Sequence, residues 1–259
     1  MPKIEVVYIP SKEDGVHLQL LVARPASPGP HPTIVFNHGS TGRGNNPAIY
    51  AQTWSPVIVQ KYFNDRGWSV VFPQRRGRGK SGGLYLEGLR EDGGGYSCDI
   101  PVTLMGFERA VQDLDAVMDH LHTSPSVRTD RMLVGGASRG GILSIAYAGL
   151  RPDCFIGAIN FNGGWLGRAC PTHASVNSII FERGAAFGRG TLWLHGSYDQ
   201  YYRIAHCRSN FERYLAAGGR GSFVAARGGH ILLGNPDLWI PPVNEYMHKI
   251  AAAANSPSC

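Results

Sequence analysis

No stretch of this 259-residue sequence approaches the roughly 20 consecutive apolar residues that a bilayer-spanning helix needs. The opening MPKIEVVYIP has no apolar core of the kind a secretory leader carries. The first expectation is therefore a cytoplasmic chain without a signal peptide and without membrane contact. Charge is scarce, at 17% of residues, and its excess is modest: 25 Lys and Arg against 19 Asp and Glu, for a net +6. The excess comes from scattered arginines and one cluster, Arg75 to Lys80. There is no lysine-rich tail and no nucleic-acid motif, so no nucleic-acid partner is expected. Cysteine is limited to positions 98, 154, 170, 207 and 259, with no C-x-x-C pair, so neither a zinc site nor thioredoxin-like chemistry is expected. Internal repeats and linkers are lacking as well. Residues 1–259 read as one domain, large enough to bury roughly three quarters of its unfolded surface.

Glycine, by contrast, is plentiful at 34 residues, and its most telling cluster lies in Arg131 to Gly141, RMLVGGASRGG. The short apolar run Met132-Leu133-Val134 stops at Gly135-Gly136, Ser138 follows, and Gly140 to Leu150 has the small-residue and apolar character of a helix. Gly136-Ala137-Ser138-Arg139-Gly140 is thus a G-x-S-x-G sequence between a buried strand and a helix. A serine at such a sharp turn needs neighbours without bulk two positions to either side, or strand and helix cannot approach. The turn lifts the hydroxyl above the sheet edge and sets the helix N-terminus behind it.

Around this turn strands and helices alternate. Residues 4–9 and 16–24 read as strands, the second with period two at Val16, Leu18, Leu20 and Val22. Thr33–Phe36, Trp68–Phe72, Phe155–Phe161, Thr191–Leu194 and Ser222–Ala226 read as further strands. Helices are expected over Ser55–Asp65, around Phe107–Leu121, over Tyr201–Ala217 and over Pro236–Ala254, the last interrupted near Pro241-Pro242. The loop from Pro73 to Gly95 holds eight glycines, and Asn162–Gly190 reads as a loop with one short helix. The class is α/β: a mostly parallel central sheet of about eight strands, helices on both faces, an antiparallel edge at the start and little or no lid. Gly77 to Gly82 matches G-x-G-x-x-G, but no apolar helix follows it to receive a dinucleotide.

In an open α/β sheet the loops at the C-terminal strand ends build the site. Those ends carry His38-Gly39-Ser40, Arg75-Arg76, Ser138, Asn162, Asp199 and His230. Serine, aspartate and histidine in that order suit nucleophilic catalysis. Imidazole removes the hydroxyl proton near neutral pH, and a carboxylate fixes the imidazole tautomer. Asp199 competes with a helix-capping role, while Asn160 and Asn162 cannot carry the charge. Among the histidines, His230 lies after the last strand and downstream of Asp199, unlike His173, His195 and His206. His38 suits a structural role in the loop that holds the oxyanion site. The two oxyanion donors are expected from the backbone N–H groups of Arg139 and Ser40.

With these residues in view, the chain resembles the α/β-hydrolase superfamily, and within it serine-nucleophile relatives of dienelactone hydrolase and of the prolyl oligopeptidase catalytic domain. The resemblance rests on FNHGSTG, VVFPQRRGRGKSGG, VGGASRGG, LWLHGSYDQYY and RGGH, spread over residues 36 to 230. Dienelactone hydrolases proper carry cysteine as nucleophile, and prolyl oligopeptidases carry a propeller that this length cannot hold. The resemblance therefore implies a small serine esterase acting without metal or cofactor on a small-molecule ester, with the triad Ser138, Asp199 and His230. The alternatives are an acyltransferase, a peptidase-like hydrolase, or a ligand-binding protein of the same fold. Trp165, Tyr201 and Arg75 are candidate substrate contacts. Tyr85, Tyr96 and Tyr202 share the candidate rim loops, and Arg75, Arg76 and Arg139 leave an anionic substrate open. Cys98 and Cys170 fall on loops expected at one sheet edge, and a bridge between them would favour export with the signal removed.

Overall fold

The computed structural model describes residues 3–255. Of the residues after Ala254, only Asn255 falls within that range, so Cys259 lies outside the described residues. Eight strands form a single sheet: β1 (Lys3–Pro10), β2 (His17–Arg24), β3 (His31–Asn37), β4 (Ser69–Gln74), β5 (Val127–Ala137), β6 (Gly157–Phe161), β7 (Gly190–Gly196) and β8 (Arg220–Ala226). Their spatial order is β1-β2-β4-β3-β5-β6-β7-β8. β2 pairs antiparallel with both β1 and β4, and every pairing from β4 to β8 is parallel. The sequence order reverses around β3 and β5, where the crossovers change direction.

Among the described residues six α-helices lie between strands, α1 (Pro47–Tyr50), α2 (Val57–Asn64), α3 (Ile100–Thr123), α4 (Arg139–Leu150), α5 (His173–Glu182) and α6 (Ile204–Ala216), and α7 (Ile240–Asn255) follows the last strand. Alternate strand residues feed two separate cores. Val35, Val71, Met132, Val134, Ala158 and Trp193 pack with α3, α4 and α5. Their chain neighbours Ile34, Phe36, Val70, Phe72, Leu133, Ile159, Leu192 and Leu194 pack with α2 and α7 on the opposite face. This two-sided burial explains why the central strands read as continuous apolar runs.

Where the elements differ from the sequence expectation, local chemistry supplies the reason. α3 starts seven residues before Phe107, because the Asp99 carboxylate caps it by accepting from Val102 N at 3.0 Å and Pro101 stands in its first turn. Pro241 and Pro242 do not interrupt the last helix. They occupy the first turn of α7, where no backbone N–H is required. Between Asn162 and Gly190, α5 and a following 3₁₀ turn (Arg183–Phe187) replace most of the expected loop. The Gly77 to Gly82 stretch forms turns, with Gly77 and Gly79 at φ +72° and +58°, and no helix follows it directly.

Candidate active site

Ser138 ends β5 and begins α4 with φ 55° and ψ −123°, a region that non-glycine residues rarely occupy. The surrounding glycines make this possible. A Cβ on Gly136 would lie 2.5 Å from the Gly140 carbonyl and 2.7 Å from that of Asn37, and one on Gly140 would overlap the Asn37 carbonyl. The turn is then locked on both sides. Ser138 N donates to Phe161 O at 2.9 Å, and Ser138 O accepts from Gly141, Ile142 and Gly164.

Asp199 follows β7 and is almost fully buried. Its Oδ1 accepts from the backbone of Tyr201 (2.7 Å) and Tyr202 (3.1 Å), which leaves Oδ2 to accept from His230 Nδ1 at 2.7 Å. His230 sits on the loop after β8, its ring edge-on to Tyr201 with centroids 4.7 Å apart and beside Tyr202 at 5.6 Å. Ser138 and His230 line one cavity of about 1040 Å³, although no hydrogen bond joins the two in this structure. Such contacts are often long before substrate binds. The N–H groups of Arg139 and Ser40 find no acceptor among the described residues, and both residues line that cavity. A Cβ on Gly39 would lie 3.1 Å from Ser138 Cβ, so glycine is what lets the Ser40 loop approach Ser138.

Three other histidines, His195, His206 and His38, do not line the cavity and are pushed towards the neutral form by burial. His195 is fully buried, stacked on Phe223 at 5.2 Å, and burial pulls its pKa down to about 3. His206 Nε2 faces the amide nitrogens of Asn177 (3.1 Å) and Asn210 (3.0 Å), and burial lowers it to about 4. His38 donates from Nδ1 to Gly39 O (2.8 Å) and accepts at Nε2 from Arg75 N (3.2 Å). Burial, with Arg75 and Arg78 nearby, keeps it well below the ordinary histidine range. His38 thus braces the Ser40 loop from behind.

Arg75 does not contact the cavity, contrary to expectation. It is buried behind the wall, where Nε and Nη2 grip both oxygens of Glu87. Tyr85, also off the cavity, donates to the same carboxylate at 3.0 Å. Arg139 is tied to the same region. Nη1 donates to Glu87 O (2.7 Å), Nε donates to Trp165 O (2.9 Å), and the guanidinium lies 3.6 Å from the Tyr96 ring centre. Arg76 pairs with Asp113 (2.6 Å) and Glu13 (2.9 Å). Trp165, Tyr96, Tyr201 and Tyr202 do line the cavity, together with Trp54 and Phe161.

Two residues that the sequence offered only as a strand-end residue and a rim aromatic take positioning roles that folding creates. Asn162, at φ 48°, accepts from Gly196 N (2.7 Å) and donates to the carbonyls of Gly229 (3.1 Å) and His230, so it pins the histidine loop to the β7 end. Its position at the end of β6 was the one available hint. Tyr202 donates to Gly164 O at 2.7 Å and closes the floor beside Ser138.

Cys98 and Cys170 are joined in a disulfide with Cα atoms 5.4 Å apart, and both line the cavity. Cys154 and Cys207 are free. The bridge closes a loop of 72 residues, and a native bridge of this kind contributes about 2 to 4 kcal/mol. Reduction is therefore expected to lower the urea midpoint without unfolding the protein at room temperature. Non-reducing peptide mapping that finds both thiols free would contradict the pairing. No cluster of three or more potential metal-ligating residues occurs among the described residues.

The fold is that of the α/β-hydrolases, with Ser138 on the turn after β5, Asp199 after β7 and His230 after β8. A family model described as serine aminopeptidase, S33, matches residues 51–171. Solved structures agree in fold. An esterase of Butyrivibrio proteoclasticus with ferulic acid bound is 17% identical, with 95% of this chain and 99% of that chain covered and a TM-score of 0.68. A Pyrococcus furiosus esterase is 16% identical, with 95% and 91% covered and a TM-score of 0.70. A Pyrococcus horikoshii acylaminoacyl peptidase is 15% identical at a TM-score of 0.68, and 96% of this chain covers only 41% of that longer chain. These likenesses show a fold that the chain shares with esterases and peptidases.

Proposed function

We propose that the protein is a carboxylesterase in which Ser138 attacks the ester carbonyl, His230 is the base and Asp199 orients it. The observation that carries this reading is the 2.7 Å bond from His230 Nδ1 to a buried Asp199, beside a cavity that also exposes Ser138 on a strained turn. With Nδ1 donating to Asp199, Nε2 is left to take the Ser138 proton as Oγ bonds to the carbonyl carbon. The resulting oxyanion is met by the unused N–H groups of Arg139 and Ser40. The protonated His230 then gives its proton to the departing alkoxide, leaving an acyl-enzyme. Water, deprotonated by the same nitrogen, releases the acid and restores Ser138.

An aromatic and apolar lining (Trp54, Phe161, Trp165, Tyr201, Leu232) suits a bulky ester group. The disulfide suits an oxidising compartment. Chromogenic esters of graded acyl length test the reading. A burst of alcohol equal to the enzyme concentration, or steady turnover of any ester, supports it, whereas inertness towards the whole panel defeats it. Added alcohols that divert the acyl group would favour acyl transfer instead.

A further inference from the structure

Three arginines line the active-site cavity, Arg43, Arg78 and Arg139, and no aspartate or glutamate does. Arg43 is exposed at the mouth. Arg139 is fully engaged by Glu87, Trp165 and two aromatic rings. Arg78 differs from both. It is only 4% exposed, yet its guanidinium makes one long hydrogen bond, from Nη1 to Gly39 O at 3.4 Å, and one distant ring contact, 5.8 Å from the Tyr85 ring centre, and Nε is buried with no hydrogen-bond partner. Among the described residues it forms no ion pair. Glu87, the carboxylate of this region, is already shared by Arg75 and Arg139.

One carboxylate for three guanidinium groups leaves the inner wall with a net positive charge. A buried cation without a partner is unfavourable unless something supplies one. The guanidinium carries five donors arranged to grip a carboxylate through two parallel bonds. Its place is specific as well. It reaches the carbonyl of Gly39, the residue packed against Ser138 and next to the Ser40 N–H. An anionic group held there would sit within the same substrate molecule as a carbonyl over Ser138.

Resting on the esterase reading, we propose that Arg78 is a substrate-recognition residue and that the ester this cavity takes carries a free carboxylate. The charged end pairs with Arg78 while the aromatic lining receives the rest. The side chains of Arg75, Arg76 and Arg139, the arginines that sequence alone put forward, are held by carboxylates of the protein.

The test compares two matched pairs: 4-nitrophenyl hydrogen adipate with 4-nitrophenyl hexanoate, and 4-butyryloxybenzoate with its methyl ester. The first pair places the carboxylate on the acyl side, the second on the alcohol side. The ratio of kcat/KM, acid over neutral, is expected to reach about tenfold or more in one pair, mainly through KM. Arg78→Met is expected to bring that ratio to about one or below, and Arg78→Lys to keep part of it. Equal ratios in wild type and Arg78→Met, or no preference in either pair, overturn the proposal. Calorimetric binding of adipate to Ser138→Ala, against the same variant with Arg78→Met, reads the site without turnover. Binding lost with Arg78 supports the subsite even if no ester is cleaved, and binding unaffected by Arg78→Met refutes it even if every ester is cleaved.

Discussion

Ser138→Ala is expected to lower kcat/KM for any ester the protein cleaves by on the order of 10⁴-fold or more. The hydroxyl it removes is the only group on the β5–α4 turn that can form the acyl bond. His230→Ala and Asp199→Asn should lose comparable amounts. An asparagine at 199 could still accept from Tyr201 and Tyr202, yet it could not stabilise the imidazolium that forms at His230. Because the three side chains act as one unit, a double variant should lose little more than its worse single variant. Circular dichroism and melting temperature should stay near wild type, since Ser138 contributes no side-chain cap to α4. Full activity in Asp199→Asn, or double-variant losses equal to the product of the single losses, would contradict the shared role.

Glu87→Gln is expected to be the most destabilising of the conservative single changes, by about 3 to 5 kcal/mol. The carboxylate lies on the Pro73 to Gly95 loop and is 2% exposed. It takes two bonds from Arg75, one from Tyr85 and the charge of Arg139. Removing it strands two buried guanidinium groups. Burial by itself opposes ionisation of Glu87, but Arg75 and Arg139 outweigh it and hold the carboxyl below its ordinary 4.5. Its contribution to stability is therefore fully present above about 4.5 and is lost as pH falls through the lower folded-state value. The gap between wild type and Glu87→Gln in urea unfolding should shrink on acidification below that range. A gap of under about 1 kcal/mol at neutral pH, or one that widens in acid, would show that the pairing is not what holds the loop.

Much of the site was legible because it rests on local chemistry. Gly136 and Gly140 flank Ser138 for a steric reason that five residues are enough to express. The order of Ser138, Asp199 and His230 follows from which strand each residue ends, and strand ends are marked by where an apolar run stops. The central strands were legible for the same reason, since burial on both faces leaves an unbroken apolar signal. The α3 start was missed because an N-cap and a proline carry it, not periodicity.

What depended on distant partners was not legible. Arg75, Arg76, Arg78 and Arg139 look alike as residues in a basic stretch or beside a serine. Only folding decides that Arg75 meets Glu87, that Arg76 meets Asp113 across 37 residues, and that Arg78 forms no ion pair among the described residues. Asn162 likewise gains its role from two carbonyls 67 and 68 residues away. By itself the sequence determined the strand–helix alternation, the sharp turn at Ser138 and the chain order of the candidate triad, since each follows from backbone sterics and local burial. The tertiary structure alone decided which charges are neutralised and which one is left facing the cavity. Electrostatic pairing falls off with separation in space and takes no account of separation along the chain.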